Sequence, residues 1–154
     1  MPPPKSITIK RTEASDPDFP QLITQLNLEL RETYEDIQSV YERYNQVQNL
    51  DTVVIAYVND IPAGCGCFKK FDTDTVEIKR LFVKKSERGQ GIAFNILGEL
   101  EIWAKEDGYS AAVLETGNKQ LEAIALYEKA GYTITPNYGQ YAGMPTSVCM
   151  KKEL

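Results

Sequence analysis

The feature that most constrains the fold is a change of hydrophobic period after Val83. Residues Thr75 to Val83 have the period-two pattern of a strand, and a helix is predicted to begin near Gln90. Its apolar stripe ends before Gly108 and consists of Ile96, Leu97, Leu100, Trp103 and Ala104. Two glycines lie between these elements. The chain must therefore fold as a strand, a tight glycine turn and a helix in direct succession.

Other segments have equally readable patterns. Thr52–Val58 and Ile61–Phe68 flank the turn pair Asn59-Asp60, which predicts a hairpin beside the Thr75–Val83 strand. The pattern also predicts strands over Ser6–Arg11, Ala111–Glu115 and Thr146–Lys151, and helices through Leu22–Leu30, over Leu121–Ala130 and, more weakly, over Ile37–Val47.

This order of elements predicts a mixed α/β domain. A chain of 154 residues, without a repeat or a linker, is expected to form one domain over residues 1–154. The strand-helix-strand unit in the middle favours a parallel pairing, which opens a crevice near the start of the helix.

Composition excludes several classes of function. The net charge of -5 argues against a broad nucleic-acid surface, and no apolar run is long enough for a membrane helix or a secretory signal. We therefore expect a cytoplasmic protein. The chain has no histidine, which excludes every mechanism with a histidine base, and its three cysteines are expected to be reduced, buried thiols rather than metal ligands.

The segment Ser86–Ala93 has the properties of an anion-binding loop. Its two glycines allow a tight turn, and the free N–H groups at the start of the helix attract negative charge. Phosphate is the obvious ligand. The dinucleotide pattern fails because Phe94 occupies its third glycine position, and no Gly-Lys-Ser/Thr follows for a P-loop.

What remains is Arg-x-x-Gly-x-Ala at Arg88, Gly91 and Ala93, directly after the strand. This resembles the acetyl-CoA pyrophosphate loop of the GNAT superfamily of N-acetyltransferases. A second stretch, Ala123–Tyr132, resembles the other signature of that superfamily at the expected distance. The resemblance implies a mostly antiparallel central sheet with helices on both faces and a V-shaped cofactor crevice.

The resemblance also implies roles for individual residues. Leu81, Phe82 and Val83 would pair with the pantetheine arm, and a backbone N–H near Phe82 would bind the oxyanion. Gln120 stands where many members carry Asn, and it is a candidate for a further cofactor contact. The loop residues that would hold the pyrophosphate are Arg88, Gly89, Gln90, Gly91, Ile92 and Ala93.

Acetyl transfer to an amine needs a general base and an acid. An amine with a pKa of about 10.4 must lose a proton before it attacks, and without histidine a carboxylate, a tyrosine or a relayed water must remove it. Glu77 resembles an acidic residue of the family and is the first candidate. The alternative interpretation of Glu77 is a solvated strand glutamate beside Lys79. Glu115 is the second candidate for the base.

Tyr127 matches the family's tyrosine, and the resemblance implies that it protonates the departing thiolate while its ring packs on the cofactor arm. Its place in the apolar stripe of the predicted helix is equally typical of a core residue.

The acceptor is expected to be a primary amine of a small molecule or a protein, attacking acetyl-CoA directly in a ternary complex. Residues Tyr34–Tyr44 and Asn137–Pro145 are candidates for its binding surface, the latter as a wall, a lid or a plain loop. The acidic balance favours a cationic amine. A CoA-binding module without transfer, an acyltransferase for longer acyl groups and a homodimer stay open.

Overall fold

We describe a computed structural model of the chain over residues 4–33 and 49–154. Its longer helices are α1 (Asp18–Thr33), α2 (Ile92–Glu106) and α3 (Leu121–Lys129). Its strands are β1 (Ile7–Thr12), β2 (Val53–Val58), β3 (Ile61–Lys70), β4 (Thr75–Val83), β5 (Ala111–Gly117), β6 (Thr133–Thr135) and β7 (Ser147–Glu153). The helix predicted over Ile37–Val47 lies outside the described residues.

The seven strands form one sheet in the order β1-β2-β3-β4-β5-β7-β6. The recorded β1–β2, β2–β3, β5–β7 and β6–β7 pairs are antiparallel, whereas β4 pairs with β5 in parallel over Thr75–Ile78. The prediction of a mixed α/β fold with a mostly antiparallel sheet and one parallel pairing is confirmed. The short strand β6 was not predicted from the sequence.

The chain divides into two compact units. The first, which we call the loop unit, contains residues 1–67 and 80–100, and the second, the carboxylate unit, contains residues 68–79 and 101–154. The predicted single domain over residues 1–154 stays a prediction.

The loop unit has its core between α1 and the first strands. Phe19 and Leu22 of α1 are buried against Val53, Ile55, Cys65 and Cys67 of β2 and β3. The β2–β3 turn uses left-handed backbone at Asn59 (φ 50°) and Asp60 (φ 67°), which matches the twist of a hairpin and confirms the predicted turn.

The carboxylate unit is built around β5, whose residues Ala111 to Leu114 are all buried. Phe68 packs edge-on against Trp103 of α2 and against Tyr109, with ring centroids 5.8 and 6.3 Å apart. All three cysteines of the chain are buried and lie outside disulfide bonds, which confirms the prediction of buried thiols.

Among the described residues, no helix has both the length and the apolar character needed to cross a membrane.

Candidate active site

The glycine loop adopts a conformation that only glycine enters without strain. Gly89 and Gly91 have φ of 84° and 78°, and a Cβ built at either position would meet no atom within 4 Å. The first backbone hydrogen bond of α2 runs from the Asn95 N–H to the Gly91 carbonyl. Within residues 4–33 and 49–154, nothing accepts a hydrogen bond from the N–H groups of residues 89–93. The loop therefore offers five backbone donors to a ligand.

Arg88 fixes the start of this loop by its side chain. Its Nε donates to the Val83 carbonyl at 2.9 Å, and its Nη2 donates to both carboxylate oxygens of Glu29 at 2.7 and 2.9 Å. The guanidinium also lies 5.8 Å from the Phe82 ring centroid. Arg88 thus connects the end of β4, helix α1 and the loop, a role that its place in the motif alone does not reveal.

The backbone of Leu81–Val83 is closely packed against β3. A Cβ at Gly64 would lie 2.7 Å from the Phe82 carbonyl oxygen, so no side chain fits at position 64. Phe82 and Val83 are buried and Leu81 is partly buried. This close approach fixes the position of Phe82 relative to β3. Phe82 belongs to the segment for which the pantetheine contacts were predicted.

Just before that segment, Arg80 adopts left-handed backbone with φ of 58°. This is uncommon for a residue with a long side chain and strains the strand locally. The buried guanidinium donates to Asn27 Oδ1 of α1, and Cys65 Sγ donates to the Arg80 carbonyl at 3.5 Å. No glycine or asparagine marks this irregularity in the sequence.

In the carboxylate unit, Glu77 is 3% exposed, so its interpretation as a solvated glutamate is wrong. Tyr138 OH donates to its Oε2 at 2.7 Å, and Lys79 Nζ lies 3.6 Å from its Oε1. Lys79 is buried as well and donates to Tyr141 OH at 3.4 Å. A tyrosine and a lysine thus compensate the buried charge of Glu77.

Glu115 lies on the same face of the sheet. Glu77 pairs with Val113 in the β4–β5 register, and Glu115 follows Val113 by two residues on β5. Ser147 Oγ donates to Glu115 Oε2 at 2.7 Å. Burial raises the pKa of Glu115 from an ordinary value of 4.5 to about 7, while the Ser147 hydrogen bond opposes the increase. A carboxyl with this pKa exchanges protons at neutral pH.

Tyr127 is buried in α3, as its apolar stripe predicts. Its ring packs against Tyr132 with centroids 6.0 Å apart and an interplanar angle of 65°. Burial, reinforced by the charge of Glu115, raises the pKa of the Tyr127 phenol. The hydroxyl is therefore held in its neutral, proton-donating form.

Gln120 directly precedes α3 and makes no capping hydrogen bond with its side chain. The 137–145 stretch contains a short 3-10 turn, Gly139–Tyr141, and Tyr141 is buried. The sequence analysis placed Asn137 and Tyr138 in a candidate acceptor-binding stretch, but it linked neither of them to the carboxylates and did not identify Ser147. Their only signal was the density of tyrosines and polar groups. Among the described residues, no cluster of three cysteine, aspartate or glutamate side chains could hold a metal ion.

Comparison with known proteins agrees with this arrangement. The model of the acetyltransferase (GNAT) family matches residues 17–132. The IAA acetyltransferase of Azospirillum brasilense is 32% identical to this chain over 158 residues, covering 97% of this chain and 99% of the relative. An uncharacterized N-acetyltransferase of Bacillus subtilis is 35% identical over 101 residues, 64% of this chain and 67% of its own.

Solved structures share the fold. A candidate acyl-CoA N-acyltransferase from Klebsiella pneumoniae superposes with a TM-score of 0.75 at 27% identity, covering 97% of each chain. A GNAT acetyltransferase from Elizabethkingia anophelis with acetyl-CoA bound has a TM-score of 0.67 at 24% identity, covering 96% of this chain and 98% of its own. On its loop motif, its fold and its family match, the chain belongs to the acetyltransferase (GNAT) family of enzymes.

Proposed function

We propose that this chain transfers an acetyl group from acetyl-CoA to a primary amine by direct attack in a ternary complex. The observation that carries the proposal is the glycine loop, whose residues 89–93 present five backbone N–H groups without protein acceptors among the described residues. A pyrophosphate needs several donors at a helix N-terminus, and the N–H groups of residues 89–93 are the donors in this proposal. The residues present therefore fit the phosphates of CoA.

In this proposal the two glycines, Gln90, Ile92 and Ala93 bind the pyrophosphate through their backbone, and Arg88 supports them. Arg88 donates to Val83 and Glu29, so its side chain orders the loop while its charge stays near the phosphates. Leu81, Phe82 and Val83 pair with the pantetheine arm, and Gln120 supplies a side-chain amide to the cofactor.

For the general base, the contacts favour Glu115 over Glu77. Glu77 already has two partners, the Tyr138 hydroxyl and the buried Lys79 ammonium. Glu115 accepts from Ser147 and has a pKa of about 7, close to the optimum for a base that works at neutral pH. Glu115 therefore removes the proton of the acceptor amine, directly or through water, and Glu77 contributes negative charge beside it.

Tyr127 is the proposed acid. Its buried, neutral phenol gives its proton to the thiolate of CoA as the thioester breaks, so the leaving group departs as a thiol. The acceptor is a cationic amine in this proposal, because the net charge of -5 favours positively charged partners. The acetyltransferase activity in the name of the Azospirillum relative supports the reaction class.

The test of the proposal is a calorimetric titration with acetyl-CoA. We expect micromolar binding that Gly91→Glu weakens by tenfold or more, because a carboxylate and a strained φ replace an open anion site. The matched control is Gly108→Glu, since Gly108 also has a positive φ (96°) and open space around its Cβ position but lies at the end of α2.

Absence of acetyl-CoA binding to the wild-type protein would overturn the proposal. Binding without thiol release on a panel of amines would identify a CoA-binding module instead. Faster release from propionyl- or succinyl-CoA than from acetyl-CoA would identify an acyltransferase for longer acyl groups.

A further inference from the structure

The segment 137–147, which we call the hydroxyl segment, is tied together by one side chain. Asn137 Nδ2 lies 3.2, 3.1 and 3.1 Å from the carbonyl oxygens of Tyr141, Met144 and Ser147. The turn inside the segment adds backbone hydrogen bonds from the Tyr141 N–H to Tyr138 and from the Ser147 N–H to Met144. These hydrogen bonds satisfy several polar groups of the segment within the segment itself.

The two ends of the hydroxyl segment reach the two buried carboxylates. Near its start, the Tyr138 hydroxyl donates to Glu77, and at its end the Ser147 hydroxyl donates to Glu115, both at 2.7 Å. Ser147 is 7% exposed and pairs with Gly117 at the start of β7, which places it beside Glu115 on one face of the sheet. Asn137 therefore lies in the segment that provides the hydroxyl donors to both Glu77 and Glu115.

We propose that Ser147 is a positioning residue that orients the Glu115 carboxylate through its hydroxyl, and that Asn137 holds Ser147 in place for this role. A hydrogen bond donated to a carboxylate favours its charged form, whereas burial disfavours it. Ser147 therefore offsets part of the burial effect at Glu115. One consequence rests on the proposed function. If Glu115 is the general base, Ser147 sets the lowest pH at which Glu115 can accept a proton from the acceptor amine.

Several other groups act on Glu115, and their signs differ. Lys79 of β4 favours its ionised form, whereas the charge of Glu77 on the same strand disfavours it. The Tyr127 phenol of α3, Tyr141 of the hydroxyl segment and Cys149 of β7 are also electrostatically coupled to Glu115. Tyr127, Tyr141 and Cys149 are all neutral at pH 7, because burial raises the pKa of each. Ser147 is thus the neutral donor whose removal changes no charge in this group.

The experiment is a titration of the Glu115 carboxyl by carbon NMR, with Glu115→Gln to assign the signal. In Ser147→Ala we expect the midpoint to move up by about one pH unit, the scale of one hydrogen bond to a charged acceptor. Ser147→Thr, which keeps the hydroxyl, should restore a midpoint near that of the wild type. Asn137→Ala should raise the midpoint in the same direction, because Ser147 loses its carbonyl anchor.

Ser110→Ala is the matched control, because it deletes an exposed hydroxyl that donates only to the Asp74 carbonyl, at 3.4 Å. An unchanged Glu115 midpoint in Ser147→Ala, or an equal shift in Ser110→Ala, would overturn the inference. The titration needs no turnover, so a wild-type protein without acetyl transfer would contradict the proposed function and leave this readout intact. Where transfer is measured, the acid limb of the pH profile should move with the NMR midpoint.

Discussion

At the scale of single residues, burial acts differently on groups that the sequence presents as equivalent. Glu77 and Glu115 are both strand glutamates, yet one is paired with Lys79 and the other receives a neutral hydroxyl. Their partners come from distant parts of the chain, 61 residues away for Tyr138 and 32 for Ser147. Sequence reasoning identified both acids but ranked Glu77 first, because the partners that distinguish them depend on tertiary structure.

Replacing Tyr127 by Phe tests the proposed acid. We expect kcat to fall by about one to three orders of magnitude, because the thiolate must then leave without a positioned proton donor. The dissociation constant of acetyl-CoA should change little, since the ring stays in place. Unchanged turnover in the variant would remove Tyr127 from the mechanism, and Tyr109→Phe provides a control tyrosine in the same unit.

At the scale of elements, the fold was largely predictable where the pattern was local. The strand Thr75–Val83 has the predicted limits, and the β2–β3 hairpin has the predicted turn. The strand β6 was missed because three residues are too few to show a periodic pattern. Its pairing with β7 is a tertiary contact that the sequence does not display. The left-handed Arg80 was missed because nothing in the pattern Lys79-Arg80-Leu81 signals a positive φ.

In a strand, alanine normally gives a more stable protein than glycine. The strain at Arg80 predicts the opposite order of stability at this position. Arg80→Ala and Arg80→Gly both delete the contact with Asn27, but only glycine accepts a φ of 58° freely. We expect Arg80→Gly to be more stable than Arg80→Ala by about 1 kcal/mol in urea unfolding. The same pair at the exposed Thr8 of β1 should show the ordinary order, with alanine more stable. Equal stabilities of the two Arg80 variants would mean that the backbone is relaxed there.

At the scale of the whole molecule, the proposed site residues fall into two groups. The glycine loop and Leu81–Val83 belong to the loop unit, whereas Glu77, Glu115 and Tyr127 belong to the carboxylate unit. The loop could be predicted because its motif is contiguous. The hydrogen-bond partners of the carboxylates could not, because Tyr138 and Ser147 carry no motif of their own and reach Glu77 and Glu115 only in the folded chain.

The raised pKa of Glu115 makes the stability of the folded state depend on pH. Since the folded-state pKa is about 7 and the ordinary value is 4.5, folding favours the protonated carboxyl. This stabilisation is complete below pH 4.5 and is lost as the pH rises through 7. We expect Glu115→Gln to raise the free energy of unfolding at pH 8 relative to wild type by up to about 3 kcal/mol, and much less at pH 4.5.

Urea unfolding at both pH values measures this difference. Glu128→Gln, at an exposed site of α3, is the control and should show no such pH dependence. A Glu115→Gln effect that is equal at the two pH values would show that the carboxyl keeps its ordinary pKa in the folded protein.

The backbone geometry of the glycine loop determines which hand of amino acid it accepts. At Gly89 and Gly91 the backbone is left-handed, but the space beside each α-carbon is empty. Chirality rather than room therefore reserves these positions for glycine: an L-residue is strained there, whereas a residue of the mirror-image series would adopt the same φ without strain. The loop disfavours the nineteen other encoded residues by their stereochemistry, although the space beside its two glycines is open.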